Sequence, residues 1–505
     1  MSRIVVGTFA VVAFVLCSIV PVAYLLVRSL ADGNFDLAAL GLDARQRGLL
    51  WNTGILGIGT AMLATAVGAP LGVALARIPL RMKGVLRLAL AAPALLPPYV
   101  TALAWTYLVR SETAYTLPGA ILVLSLVFYP LSMLATEVAL RRIDGRLEEA
   151  ALIHASSQRV LQRITFPLAA PSVVAAALII FVLTVSEFGV PGLLRVRVYT
   201  TEVFTAFAAL YDFGRAVVLA IPLLMVCGLI STLAVVIEGD RLVSSRRGSG
   251  RRPPLLEGWQ RPAVAAAAAI VAMALVTPLA VLVREAQGAD SVAAVIVGSG
   301  EAIANSLVFA TIGATAVVGL AVWLGYFRAR ARGRVGQFVD VVMVVAFAVP
   351  STIVGVGLIG LWNRPGVLGT LYGTDAMFIL GYLARFVPVA TLAIAASMRY
   401  VPVSHEEAAA ISGAGWLRSM TRIVIPQIRF GLLTAWVIAF VLAFGELGVS
   451  LLVAPAGEAT LPIRIYTIIA NSPPAHVAAL ALLQTLVILC PVAMLAIVGA
   501  VREAR

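Results

Sequence analysis

Uncharged apolar stretches about as long as a membrane is thick recur along the whole chain. A helix needs about 20 apolar residues to cross the hydrocarbon of a bilayer. The tenth stretch is interrupted by Arg385 and the eleventh continues past Glu446. The pattern predicts an all-α membrane protein with about twelve transmembrane helices. The stretches are Ile4–Val27, Leu49–Ala76, Leu88–Val109, Thr113–Thr136, Ile164–Ser186, Ala216–Ile237, Pro262–Val283, Ala302–Phe327, Val341–Asn363, Ala376–Met398, Phe430–Gly445 with its continuation, and a last one within Ile465–Val501.

Composition excludes the other broad classes of protein. Only 12% of the residues are charged and 61% are hydrophobic, whereas soluble domains carry about 25% charged residues. A chain of 505 residues with so few charges cannot cover a water-facing surface. Intrinsic disorder is excluded for the opposite reason, because apolar residues are abundant.

The net charge of +13 is a signal of orientation. A basic chain suggests nucleic acid only where the charges cluster on a soluble domain. If the N-terminus is cytoplasmic and the spans alternate, 26 of the 37 cationic residues fall on the cytoplasmic side. The positive-inside rule therefore predicts cytoplasmic N- and C-termini and twelve crossings, with the first stretch kept as an uncleaved anchor. No nucleic-acid partner is predicted.

The residues that usually hold metals or cofactors are few and scattered. Cys17, Cys227 and Cys490 each lie within an apolar stretch, and they are interpreted as small hydrophobic side chains. The three histidines form no cluster with metal-ligand spacing. The sequence predicts no metal site and no cofactor bound by this chain.

The chain divides into two similar halves. Residues 239–261 are polar, basic and rich in Gly, Pro and Ser, which is typical of a flexible linker. Residues 1–238 and 262–505 would then be two repeats of six spans each. Because six is even, the repeats have the same orientation in the membrane. The matching positions are Asn52 with Asn305 and Pro97 with Pro350, 253 apart; Pro130 with Pro388, 258 apart; and Pro167 with Pro426 and Glu187 with Glu446, 259 apart.

Each half contains one long inner loop between its fourth and fifth spans. A Glu-Ala-Ala run favours helix, a glycine can end that helix in a left-handed conformation, and a proline can begin the next. The loops are predicted to form helix, turn and helix, as a cytosolic knob suited to docking a partner. The residues concerned are Glu148, Glu149, Ala150, Ala151, Ile164 and Pro167 in the first loop, and Glu406, Glu407, Ala408, Ala409, Gly413, Ile423 and Pro426 in the second.

These loops resemble those of the membrane subunits of bacterial ATP-binding-cassette (ABC) importers. The family pattern is Glu-Ala-Ala, a Gly six positions after the Glu, and then Ile-x-Leu-Pro. In the second loop Glu407, Gly413 and Pro426 match this pattern, with Ile425 in place of the Leu. With two repeats in one chain, the sequence is most similar to the fused permeases of the ferric-iron and thiamine uptake type. That resemblance implies the type I importer permease architecture.

The resemblance also implies partners, cargo and location. Two copies of a nucleotide-binding subunit would dock under the loops, binding ATP and Mg, and a periplasmic binding protein would deliver a small solute. A phosphate-binding P-loop ends in Gly-Lys-Ser/Thr, and Lys83, the single lysine, lies in no such loop. The chain would lie in the bacterial inner membrane. Ferric iron is the first candidate cargo, thiamine the second, and aminoethylphosphonate a further one.

The first loop departs from the family pattern at its turn. His154 is followed directly by Ala155, and the glycine is missing. The distance from Glu149 to Pro167 is one residue shorter than that from Glu407 to Pro426. The two loops are therefore predicted to be unequal couplers, the first either turning tightly without its glycine or docking more weakly.

Ionisable groups within the spans are candidates for the translocation pathway, because charge is expensive in the bilayer. Glu187 and Glu446 lie at equivalent outer ends of spans, and Arg385 has Val127 at the corresponding position of the first half. The acidic pair either meets a cation or the binding protein, or consists of helix-end carboxylates in interfacial water or paired with arginine. Arg385 is either a counter-ion or a contact for an anionic cargo.

Two other functional classes also contain many apolar spans. An ion-coupled secondary transporter can also have six plus six spans, but it needs relays of acidic residues or histidines in the membrane, and those are almost absent. A membrane-embedded enzyme needs a catalytic constellation, and the sequence shows none. A secondary transporter would also have no reason for the two Glu-Ala-Ala loops.

Overall fold

The computed structural model describes residues 3–31, 44–239, 255–256, 258–287 and 289–503. These residues form helices and turns and contain no strand. Within them, nine helices are long and apolar enough to cross a membrane, and three further candidates are pairs of helices that bend at a short break. The predicted all-α architecture with about twelve transmembrane helices is confirmed, with each bent pair taken as one span.

The spans are numbered in chain order. Spans 1, 2, 4, 5, 6, 7, 8, 10 and 12 are Arg3–Arg28, Ala44–Arg77, Leu117–Arg142, Ser157–Ser186, Phe213–Glu238, Gln260–Ala286, Gly300–Arg330, Ala376–Met398 and Pro474–Ile497. Spans 3, 9 and 11 are the bent pairs Lys83–Leu95 with Pro98–Val109, Gly333–Ala348 with Ser351–Trp362, and Trp416–Gln427 with Arg429–Phe444.

Shorter helices lie between the spans. Loop helix 1 (Gly145–Leu152) precedes span 5, and loop helix 2 (Val403–Ile411) precedes span 11. The others are Gly189–Leu193, Tyr199–Phe204, Ala289–Gly298, Gly448–Val453 and Leu461–Ile468, with short 3-10 turns at Glu112–Ala114 and Val367–Thr370.

Spans 3 and 9 bend by 90° at corresponding prolines. Leu96, before Pro97, has ψ 137°, and Val349, before Pro350, has ψ 126°. A proline disfavours the helical conformation in the residue before it, so each helix ends there and a new one begins. The apolar stretches at these places, which the sequence suggests are single helices, are therefore broken spans.

Spans 5 and 11 share a second irregularity. A π-helical turn occupies Leu161–Thr165 in the first half and Met420–Val424 in the second, at the same offset of 259 as the matching prolines. Span 5 then continues as one helix, whereas span 11 bends by 77° near Ile428. The repeat relationship read from the sequence thus extends to irregular backbone, although the two spans differ in shape.

The matching asparagines of spans 2 and 8 perform equivalent tasks. Asn52 donates from Nδ2 to the carbonyl of Arg197 over 3.1 Å, and Asn305 donates to the carbonyl of Ala459 over 3.4 Å. Each asparagine therefore ties its span to the segment that follows the fifth span of its own half.

Span 1 packs against the second half of the chain. An added Cβ on Gly7 would lie 2.7 Å from the ring of Phe327, so the glycine leaves room for that ring. An added Cβ on Gly357 of span 9 would lie 2.8 Å from the carbonyl oxygen of Pro21, so this glycine lets the backbones of spans 1 and 9 approach closely. The guanidinium of Arg3 lies 5.4 Å from the ring centre of Tyr326, within the range of a cation–π contact.

Span 7, which opens the second half in sequence, packs in turn against span 3 of the first half. At its end, Glu285 accepts a 2.6 Å hydrogen bond from Arg110, the residue that follows span 3. The largest buried apolar cluster likewise contains residues of both halves. The first span of each repeat therefore packs on the other repeat.

Candidate functional site

Loop helix 2 ends at the glycine that the sequence singles out. Gly413 has φ +78°, its N–H donates to the carbonyl of Ala410, and the N–H of Ala414 donates to that of Ala409 over 2.9 Å. These bonds close the last turn of the helix, and a short helix begins at Trp416. The predicted helix, turn and helix is confirmed here, with Gly413 in the left-handed conformation.

Loop helix 1 closes without a glycine. Asp144 caps its start by accepting from the N–H of Arg146 over 3.1 Å. At its end the N–H groups of His154 and Ala155 both donate to the carbonyl of Ala151. No residue from 145 to 160 has a positive φ. The deletion is therefore accommodated by a tight right-handed turn, which is one of the two outcomes that the sequence left open.

The solvent-exposed faces of the two loops carry the same residue types at equivalent positions. Glu149 and Glu407 are exposed. Ile153 and Ile411, 258 positions apart, are 76% and 88% exposed at the ends of the loop helices. Each loop therefore exposes an isoleucine and a carboxylate.

The face of loop helix 1 that packs on the spans carries a buried ion pair. Glu148 accepts from Nη2 of Arg77, the last residue of span 2, over 2.7 Å, and both side chains are 0% exposed. Thr165 donates a 2.8 Å hydrogen bond to the same carboxylate. The same Nη2 of Arg77 also donates to the carbonyl of Leu140 over 2.9 Å. The loop helix is thus fixed to spans 2, 4 and 5.

Loop helix 2 has an equivalent pair. Arg330, the last residue of span 8, is paired with Glu406, and its guanidinium also donates to the carbonyl of Val401 over 3.3 Å. Tyr326 donates to the other carboxylate oxygen over 2.7 Å. This pair is slightly more open to water, at 14% and 15% exposure. We call these two ion pairs, Arg77–Glu148 and Arg330–Glu406, the struts.

The struts were not predicted, although the sequence carries their signal. Arg77 and Arg330 are 253 apart, the offset of the other matches in that part of the chain, and Glu148 and Glu406 are 258 apart. A repeated Arg and a repeated Glu at the inner ends of paired elements could have indicated a repeated ion pair.

The other predicted loop residues lie along the same two knobs. Ala150, Ala151, Ala408 and Ala409 lie on the loop helices, Ile164 and Ile423 lie in the π-helical turns, and Pro167 and Pro426 follow those turns. The structure therefore gathers all of the predicted loop residues at or just before the N-terminal ends of spans 5 and 11.

The two membrane glutamates cap the short helices that follow spans 5 and 11. Glu187 accepts from the N–H of Gly189, and Glu446 accepts from the N–H of Val449, both over 2.9 Å. A carboxylate at a helix start satisfies N–H groups that have no partner within the helix. This role had no place in the sequence interpretation.

Arg385 pairs with only one of these glutamates. Its Nη1 donates to Glu446 over 2.5 Å, and the two side chains are 14% and 7% exposed. Of the two readings of Arg385, the geometry is that of a counter-ion. The structure places Glu446 in a buried pair, away from interfacial water. In the part of the chain that the structure describes, the carboxylate of Glu187 forms no ion pair, and it accepts from the N–H of Gly189.

The two capping turns meet where the halves meet. An added Cβ on Gly189 would lie 3.1 Å from Cβ of Tyr99 in span 3 and 3.5 Å from the side chain of Leu447 in the second half. An added Cβ on Gly445 would lie 3.1 Å from Cγ of Pro97, at the bend of span 3. The bent spans and the capping turns therefore form one contact between the repeats, with two carboxylates and one guanidinium.

Similarity to known proteins agrees with these features. Residues 292–502 match the family described as binding-protein-dependent transport system inner membrane component. An Fe(3+)-transport system permease protein of Haemophilus influenzae is 23% identical over 458 residues, which cover 88% of this chain and 89% of that protein.

Two further relatives match shorter regions. A protein of Streptomyces antibioticus described as an ABC transporter permease is 31% identical over 160 residues, or 32% of this chain and 68% of that protein. A protein of Salmonella typhi described as a 2-aminoethylphosphonate transport system permease is 32% identical over 144 residues, or 28% of this chain and 47% of that protein. The chain therefore belongs to the binding-protein-dependent transport system inner membrane component family, as a multi-pass inner membrane permease of an ABC importer.

Proposed function

We propose that this permease moves ferric iron inward, that a periplasmic binding protein delivers the iron, and that two copies of a separate subunit supply the energy by hydrolysing ATP with Mg. The two strut-anchored loops carry the proposal. Each has an exposed tip that fits a docking partner and an ion pair that ties the loop helix to the membrane spans. ATP chemistry belongs to the partner, because this chain has no phosphate-binding loop.

The struts provide a physical route from the ATPase to the spans. A docking subunit that moves loop helix 1 pulls on Arg77 and so on span 2, and loop helix 2 acts on span 8 through Arg330 in the same way. Rigid elements joined by buried ion pairs move together, as alternating access requires. The loops face the cytoplasm in this proposal, with both termini on the same side.

Ferric iron is the preferred cargo for two reasons. The Haemophilus relative that matches 88% of this chain is a ferric-iron permease. The contact between the halves also places two carboxylates beside one guanidinium, and an excess of carboxylate suits a hard cation. We infer that Glu187 and Glu446 border the pathway. 2-Aminoethylphosphonate is the second candidate, from the Salmonella relative, and thiamine remains an alternative from the family resemblance.

Reconstitution in proteoliposomes tests the function. The permease is combined with its candidate ATPase and with binding protein loaded with Fe3+ or with 2-aminoethylphosphonate. We expect ATP hydrolysis and iron uptake to rise only with the iron-loaded protein. Uptake driven by an ion gradient in the absence of ATP would instead identify a secondary transporter.

A variant pair tests docking at the loops. Ile411→Asp places a charge on the exposed tip of loop helix 2 and should abolish binding of the ATPase subunit. Tyr211→Asp is the matched control, because Tyr211 is also 88% exposed and follows span 5 on the predicted outer side. Equal ATPase binding by both variants would show that the second loop is not the docking point.

A further inference from the structure

An apolar crevice opens between spans 4, 5 and 6. Its volume is about 350 Å³, near the lower end of the range of about 300–1,000 Å³ for pockets that hold organic ligands. Leu134 of span 4, Ile179 of span 5 and Ala234 of span 6 line it, and Val344 of span 9 contributes a side chain from the other half. The crevice therefore lies where the two halves meet, and none of its lining residues belongs to a loop helix or a capping turn.

The length of the crevice corresponds to one leaflet of a bilayer. Along span 4 it runs from Leu131 to Arg142, the last residue of the helix. At 1.5 Å per residue these residues are about 16 Å apart, which is about half of the 30 Å hydrocarbon core. An apolar crevice at this depth has no water to fill it, and acyl chains are the available apolar filler.

The inner end of the crevice carries charge. Arg142 is the last residue of span 4 and Glu238 the last residue of span 6. Across the opening, Nη1 of Arg142 lies 3.4 Å from Oε1 of Glu238. This distance is long for an ion pair with a hydrogen bond. The second oxygen of Glu238, Oε2, is buried and has no hydrogen-bond donor among the described residues. A buried carboxylate oxygen without a donor is costly, so the end of the crevice lacks one donor.

We propose that this crevice binds one phosphatidylethanolamine molecule as a structural lipid between the two halves. One acyl chain lies in the crevice, the phosphate accepts from Arg142, and the primary ammonium donates to Glu238. Such a headgroup brings a negative and a positive group to a site that presents one of each. It also supplies the donor that Glu238 lacks.

The proposal separates phosphatidylethanolamine from other common phospholipids. Phosphatidylcholine has the same charges, but its quaternary ammonium has no N–H to donate. Phosphatidylglycerol has the phosphate without a cation and adds negative charge beside Glu238. A charge-assisted hydrogen bond distinguishes such ligands by about tenfold or more in affinity.

The test is lipid retention by the full-length permease, purified in detergent, exposed to equal amounts of the three lipids and measured by native mass spectrometry. We expect one retained phosphatidylethanolamine, favoured over phosphatidylcholine by about tenfold. Glu238→Gln should remove this preference, because a neutral amide no longer attracts the ammonium. Ala176→Phe, which fills the crevice, should remove the bound lipid altogether. Glu112→Gln, an exposed carboxylate on another loop, should change neither result.

Several results would overturn the proposal. They are equal retention of phosphatidylethanolamine and phosphatidylcholine by the unaltered protein, preference for phosphatidylglycerol, and undiminished retention in Ala176→Phe. If Ala176→Phe does not fold, Ala135→Leu is a smaller filling substitution on span 4 and serves the same purpose.

Discussion

At the scale of single residues, the two strut glutamates differ in how much water reaches them. Glu148 and Arg77 are 0% exposed, whereas Glu406 and Arg330 are 15% and 14% exposed. Removing one partner of a fully buried pair leaves an uncompensated charge. Glu148→Gln should therefore lower the free energy of unfolding by about 3–5 kcal/mol. Glu406→Gln should lower it by about 1 kcal/mol, because Arg330 is partly open to water and still donates to the carbonyl of Val401.

Thermal unfolding of the detergent-solubilised variants measures this difference. The neighbouring substitutions Glu149→Gln and Glu407→Gln are the matched controls, since both carboxylates are exposed, and the unfolding midpoint should stay unchanged. A larger loss of stability in Glu406→Gln than in Glu148→Gln would contradict the conclusion that the Arg77–Glu148 pair is the less exposed of the two struts.

Arg385 and Glu446 are suited to a double-mutant cycle. Arg385→Gln leaves Glu446 buried without its cation, and we expect a loss of about 3 kcal/mol in stability. Adding Glu446→Gln removes the unpaired charge, so the double variant should be more stable than Arg385→Gln alone. The unfolding midpoints of the four proteins give the coupling. An additive cycle would mean that the 2.5 Å contact contributes nothing.

Charged residues with a structural or functional role are easier to identify from the sequence than their ion-pair partners are. Glu187 and Glu446 stand out because they recur at an offset of 259 within apolar stretches. The partner of Glu446 is 61 positions away on another span, and that of Glu148 is 71 positions away. Such pairs depend on how spans pack, and apolar stretches of similar composition do not encode their neighbours.

At the scale of elements, the turn of the second loop can be tested at one glycine. Gly413 has φ +78°, and nothing lies within 4 Å of an added Cβ. The only effect of Gly413→Ala is then on the backbone, where a left-handed alanine costs about 1 kcal/mol. We expect weaker binding of the ATPase subunit, since loop helix 2 would close less firmly.

Gly415→Ala is the matched control for that experiment. Gly415 lies two residues further along the same turn, an added Cβ there also meets nothing, and its φ of −66° is ordinary. Titration of the ATPase subunit onto both variants compares their dissociation constants. Equal weakening in the two would assign the effect to loss of glycine flexibility in general.

The positions of the helices are easier to predict from the sequence than the places where a span bends. The lengths of the apolar stretches gave the positions of all twelve spans, because about 20 apolar residues have few other uses. The 90° bends at Pro97 and Pro350 do not follow from the sequence, although the two prolines match across the halves. A proline within a span either kinks it mildly or breaks it. Pro130 and Pro388 lie inside continuous helices, so packing decides the outcome.

At the scale of the whole molecule, the cytoplasmic location of both termini is a prediction from the arginines that a labelling test can check. In a chain whose Cys17, Cys227 and Cys490 are replaced by Ala, Ser245→Cys marks the linker and Ser111→Cys marks the connection between spans 3 and 4. In spheroplasts an impermeant maleimide should label Ser111→Cys at once and Ser245→Cys only after permeabilisation. The opposite pattern would place both termini outside.

The division into two repeats also has a consequence that sequence order alone does not suggest. Span 1 packs on spans 8, 9 and 10, while span 7 packs on span 3 and forms the Arg110–Glu285 pair. A repeat made alone would therefore leave its first span without most of its contacts, and it would expose surfaces that normally face the other repeat. The contacts of spans 1 and 7 indicate that the predicted repeats 1–238 and 262–505 fold on one another.

Cutting the linker tests this interdependence. Fragments 1–248 and 249–505 should each fail to accumulate when expressed alone, and should copurify and retain uptake when expressed together, because the cut leaves every described contact between the halves in place. A cut between Gly413 and Ala414 is the control: it divides the second loop and should abolish ATP-coupled uptake. If fragment 1–248 instead accumulates alone as a stable monomer, span 1 does not need the second half, and the packing of Gly7 on Phe327 contributes little to folding.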